Sequence, residues 1–188
     1  MITFECPANI NINAIKESLD DVNGVNSLYF MDTIDTNIYI ISAKYKKYFY
    51  YMELYDYYKI PYPGDKLFRA FCGVEDDEIF IFVDDSEITN SIQWLVIHEL
   101  IHRAILSNRL LYFYMYSLKE RYVKNTLGYN NIQDYRKNLI LKCKDEIHEN
   151  EPEEKFCNEV ATVLCSGNYG RAWWRKRHIQ LEHWNINA

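Results

Sequence analysis

No apolar run in this chain is long enough to span a bilayer, so no membrane-spanning helix is expected. The opening MITFECPANINI has neither a basic flank nor an apolar signal core, and an export signal is not expected either. No two of the five cysteines (Cys6, Cys72, Cys143, Cys157 and Cys165) have CxxC spacing. An odd, scattered set points to free thiols in a reducing compartment, hence a cytoplasmic protein. Excess positive charge is also missing. The formal net charge is −6, which sets aside a general nucleic-acid binder. Internal repeats, linkers and low-complexity segments are absent. Glycine and proline are scarce, a bias that carries no mechanistic information.

What is present is a chain of 188 residues, 48% of them hydrophobic. That is enough to bury a real core, and one domain spanning 1–188 is expected. ANININAIKESLDDV (8–22) has apolar residues at helical spacing and predicts a first helix. NIYIISA (37–43) is short and β-branched, and DEIFIFVDD (77–85) alternates between acidic boundaries; both predict strands. The tyrosine-dense KYKKYFYYMELYDYYKIPYP (44–63) is read as a helix whose rings pack at the edge of the core. Residues 91–106 predict a helix with Asn90 as N-cap and Gln93 completing a capping box. Further helices are expected over 110–127, 131–147 and 151–167, the last with Pro152 in its first turn and Gly167 at its end. The basic, aromatic tail GRAWWRKRHIQLEHWNINA reads as a solvated helix with Trp173 and Trp174 docked on the core, in preference to a nucleic-acid grip. The fold class is therefore α+β, mostly helical with a small mixed sheet.

The greasy stretch WLVIHELIHRAI (94–105) is interrupted by His98, Glu99 and His102. This is H-E-x-x-H. Residues four apart share a helix face, so both imidazoles can reach one ion, and neutral imidazole suits zinc. Glu99 lies about a hundred degrees round the helix from His98, which lets it address a water on the metal. Two satisfied core histidines would be the bland alternative, but burying these groups without partners costs several kcal/mol. A single Zn2+ is the economical partner.

A third protein ligand is then required. The extended H-E-x-x-H-x-x-G-x-x-H pattern fails, because Ile105 and Asn108 occupy its glycine and last histidine. EPEEKFCNEVATVL offers Glu154 as ligand, with Asn158 four residues on to hold one histidine's far nitrogen. Glu153 is the weaker competitor, read as an acid favouring the helix dipole, and Glu159 points well away from Glu154. Cys157 and Ala161 are small enough to let this helix approach the metal helix closely.

These residues resemble the gluzincin metallopeptidases, and most closely the ImmA/IrrE-like group. Strand IFIFVDD, helix WLVIHELIH and segment E-K-F-C-N-E-V-A-T-V-L match that group's strand, HELGH-like helix and E-x-x-A-N-x-F-A-x-x-L-L-like segment. Ile101 stands where the group has glycine, Cys165-Ser166-Gly167 replaces a proline-ended close, and a long helical insert separates the two motifs. The likeness implies a zincin-like domain with the sheet packed beside the H-E-x-x-H helix. It also implies a soluble intracellular protease, often one that cuts a transcriptional repressor. The expected activity is zinc-dependent cleavage of a protein or peptide substrate, with Glu99 as general base and a regulatory protein partner to restrain it. The strand around Ile79–Val83 is expected to pair with extended substrate, and His178, His183 or a tyrosine of 112–116 to steady the oxyanion. The alternative is a non-catalytic zinc-containing interaction protein.

Overall fold

A computed structural model describes residues 2–5, 13, 35–64, 70–72, 77–84, 89–142 and 150–165. Apart from residue 13, the helix expected over 8–22 lies outside these residues, as does the tail from residue 166 with His178 and His183.

Four strands form one mixed sheet: β1 (Ile2–Glu5), β2 (Thr36–Ser42), β3 (Ala70–Cys72) and β4 (Glu78–Val83). Their spatial order is β1-β2-β4-β3, with β1, β2 and β4 parallel and β3 antiparallel to β4. The alternation of DEIFIFVDD explains the position of β4. Ile79, Ile81 and Val83 point to one face, while Phe80 and Phe82 join Phe49, Tyr50 and Leu54 on the other. A strand covered on both faces belongs inside a sheet. Over Ile79–Ile81 both backbone edges of β4 are already paired, to β2 and to β3, which corrects the expectation that this part of the strand receives substrate by edge addition. Among the described residues, the outer edges of the sheet belong to β1 and β3.

The tyrosine-dense segment is helical but irregular. A 3-10 turn, Ala43–Tyr45, leads to α1 (Lys46–Phe49), a π-helical stretch (Tyr50–Leu54) and α2 (Tyr55–Tyr58). It stops at Lys59, which takes the left-handed φ of 55°. Phe49 wedges against Phe71, Phe80 and Phe82, and the buried Tyr50 hydroxyl donates to the Ile60 carbonyl at 2.9 Å. That is an amphipathic ring used at a core edge, as its composition suggests.

Four longer helices complete the described fold: α3 (Thr89–Ser107), α4 (Arg109–Arg121), α5 (Ile132–Lys142) and α6 (Pro152–Cys165). Helix α3 starts at Thr89, so Asn90 lies within its first turn rather than capping it. Asn108 separates α3 from α4, and its side chain accepts from the Leu111 N–H at 3.1 Å as the N-cap of α4. A π-helical stretch, Tyr122–Thr126, carries α4 on toward Gly128, whose φ of 75° closes the turn. Asn131 caps α5 by accepting from the Asp134 N–H at 2.8 Å.

The main core lies between the isoleucine face of the sheet and α3, with α6 packed against α3. Ile38, Ile40, Ile79 and Ile81 meet Val96, Leu100, Ile101 and Ala104, and α6 adds Cys157, Val160, Ala161 and Leu164. The apolar positions of α6 recur at three- and four-residue intervals, and small Cys157 and Ala161 are both fully buried. The sheet thus packs beside the H-E-x-x-H helix, and the fold class is α+β.

Candidate metal centre

Helix α3 is buried on most sides, yet His98 (7% exposed), Glu99 (7%) and His102 (9%) lie within it. The one-turn spacing brings the two imidazoles edge to face, their centroids 4.8 Å apart. Their Nε2 atoms are 3.0 Å apart. Glu154, in the first turn of α6, closes the triangle. Its Oε2 lies 3.3 Å from His98 Nε2 and its Oε1 3.2 Å from His102 Nε2. Two nitrogens facing each other cannot both donate. Two lone-pair donors and a carboxylate converging on one point are what a cation requires.

The spacing agrees with that requirement. A tetrahedral ion with metal–ligand bonds of about 2.0–2.1 Å has ligand–ligand edges of about 3.3 Å. The three edges here are 3.0, 3.2 and 3.3 Å. Among the described residues, His98, His102 and Glu154 form a group able to hold a metal ion. Their donor set, two imidazoles and one carboxylate, suits zinc and leaves a fourth position open.

Each imidazole is held by a different device. His102 Nδ1 donates to Glu153 Oε1 at 2.8 Å, which fixes the tautomer and leaves Nε2 to the centre. The indole of Trp94, one turn before His98, stacks on it at 5.2 Å with an interplanar angle of 28°. Trp94 in turn donates from Nε1 to Thr162 Oγ1 on α6 at 3.2 Å. His98 Nδ1 has no hydrogen-bond partner among the described residues. The role expected for Asn158 is therefore corrected: Glu153 takes the far nitrogen of His102, and Asn158 holds neither histidine. Glu153 and Glu154 differ by about a hundred degrees on the helix, so they approach His102 from two sides. That adjacency was the available signal for Glu153, and reading it as a dipole effect alone hid its second use.

Electrostatics follow from burial. Burial disfavours the His102 cation, but Cys157, Glu154 and Glu153 outweigh it and hold the imidazole well above its ordinary pKa. Burial also pushes the Cys157 thiol up to about 11, so near neutral pH it carries no charge and the two carboxylates are responsible. Burial likewise works against the Glu153 charge. The His102 hydrogen bond and the His102 and Lys119 cations prevail and keep its carboxyl below the ordinary range. On β3, burial and then the nearby Glu99 carboxylate push the Cys72 thiol up to about 12. The charge of Glu99 therefore reaches Cys72 on β3. Of the tyrosines in 112–116, Tyr114 and Tyr116 are exposed on α4.

No family model, curated protein or solved structure matches this chain. The geometry of the centre carries the functional argument.

Proposed function

We propose that this chain is a zinc-dependent endopeptidase of the gluzincin type, similar to the ImmA/IrrE-like group, that cuts a specific protein such as a regulator or repressor. One observation carries the reading. Both histidines of H-E-x-x-H and a glutamate from a separate helix converge with the edge lengths of a tetrahedral site. The intervening Glu99 stands buried beside them.

His98, His102 and Glu154 hold the ion. Bound there, zinc would supply a Lewis acid that polarises a carbonyl and lowers the pKa of water toward neutrality. Glu99 accepts the proton of the attacking water and delivers it to the leaving nitrogen. Glu153 keeps His102 in the tautomer that presents Nε2. An extended peptide would add to β3, an outer strand of the sheet among the described residues, since β4 is paired on both sides over Ile79–Ile81. The scattered thiols favour a cytoplasmic location, and Cys72, Cys157 and Cys165 form no disulfide. Among the described residues, no helix is long and apolar enough to cross a membrane. A regulatory partner would restrain such an open site.

The test is Glu99→Gln, assayed for zinc content and for cleavage of a peptide library read by mass spectrometry. The variant is expected to retain zinc and lose cleavage by about 10²–10⁴-fold. Cleavage at the parent rate removes Glu99 as base, and unchanged zinc content in His98→Ala removes the metal site.

A second reading is a non-catalytic zinc protein. Cys157, fully buried on the same helix as Glu154, favours it as the source of a fourth donor. Loss of zinc in Cys157→Ser, with no cleavage by the parent, would select it.

A further inference from the structure

The insert between the two motifs brings two buried polar side chains to a third at the start of α6. Glu151, the residue before α6, is 1% exposed. Its Oε1 accepts from the Tyr135 hydroxyl of α5 at 2.5 Å, and its Oε2 pairs with the Lys119 ammonium in the last turn of α4. Lys119 and Tyr135 are themselves buried, at 7% and 1%. The Glu151 backbone carbonyl also accepts from the Lys155 N–H at 2.9 Å, so the same residue starts the α6 hydrogen-bond ladder. Tyr135 is wedged into a small cluster with Val123 and Ile132, and its ring lies against Tyr129.

A buried ion pair is weak evidence for stability, because desolvation offsets most of the attraction. A well-packed apolar trio would serve the core as well. What an apolar trio would not do is fix one end of a helix in register. Glu151 stands two residues before Glu153 and three before Glu154. Clamping its carboxylate from two other helices restricts both the translation and the rotation of the first turn of α6. The charge of Lys119 also reaches Glu153, where it favours the carboxylate.

We propose that Lys119 and Tyr135 are positioning residues for the metal centre, which act through Glu151 to aim Glu153 and Glu154 at His102 and His98. The insert is then the device that shapes the metal site, in place of a bare connection. This inference rests on the metal reading above. A point-charge view makes the opposite forecast: removing the Lys119 cation leaves more negative charge near the site and binds a divalent ion as tightly or more tightly. The positioning role demands weaker binding.

The experiment compares the parent with Lys119→Met, Lys119→Arg, Tyr135→Phe and His102→Ala. Zn2+ affinity is measured by chelator competition, at a temperature where circular dichroism shows each variant folded. The visible spectrum of the Co2+-loaded protein reports ligand geometry. Lys119→Met is expected to weaken Zn2+ binding by about tenfold, as loss of a supporting group around a metal typically does. Its Co2+ bands should shift or weaken, and Lys119→Arg should restore most of both. Tyr135→Phe keeps the ring in its cluster and should weaken Zn2+ binding in the same direction. Should Lys119→Met fail to fold, Tyr135→Phe decides alone. Zn2+ affinity within twofold of the parent, or tighter, with unchanged Co2+ bands overturns the proposal while leaving the metal reading intact. A parent that binds no Zn2+, or a His102→Ala that binds it equally, overturns both.

Discussion

Single residues in this protein are governed by burial more than by contact number. The three described thiols show it: burial pushes Cys72 up to about 12 and both Cys157 and Cys165 up to about 11. At pH 8 a thiol with a pKa near 11 has on the order of a hundredfold less thiolate than a free cysteine. Alkylation by iodoacetamide, mapped by peptide mass spectrometry, should therefore be slow at these three positions and accelerate toward pH 10. Fast labelling of Cys157 at pH 8 in folded protein would show that α6 does not pack on α3 as described. Legibility at this scale was uneven. The grouping of His98, His102 and Glu154 was readable because helical spacing and ligand chemistry select them together. Glu153 was misread and Asn158 overvalued, since a difference of one residue on α6 decides which side chain meets His102. Such a rotation is set by packing against α3 and has no signature of its own in the chain.

At the scale of elements, the helix pair α3–α6 decides whether the site exists. Fully buried Cys157 and Ala161 let the two helices approach, and Trp94 ties them again through Thr162. Ala161→Leu would overfill that seam. It is expected to cost about 1–3 kcal/mol of stability and to push Glu154 away from the histidines. The check is a urea midpoint alongside Zn2+ affinity, with Lys155→Leu on the exposed side of α6 as the comparison that should leave both nearly unchanged. The helices were legible because apolar residues at three- and four-residue intervals, with Asn and Pro at their starts, mark their limits. The strands were less so: β2 and β4 stood out, whereas β1 and β3 are four and three residues long and have too little pattern to show.

Over the whole molecule, the balance of buried charge bears on the proposed metal site. Glu99 and the two histidines lie within the core, and Glu154 stands at its edge with 12% of its side chain exposed. An ion that binds only the folded state adds about 2.7 kcal/mol at a hundred times its dissociation constant. For a chain of this size that corresponds to about 5–10 °C in Tm. Calorimetry of the parent with Zn2+ and with excess chelator should show this difference, and His98→Ala should lose it. The amino-acid sequence by itself determined the α+β class, the helical face shared by His98 and His102, and the need for a ligand from elsewhere, because these follow from periodicity and from the chemistry of imidazole and carboxylate. Only the tertiary structure decided that β4 lies between β2 and β3. It alone brought Glu153 to His102 and Lys119 and Tyr135 to Glu151. Contacts between segments far apart in the chain depend on how helices rotate and strands order themselves around a common core, and no local pattern encodes that.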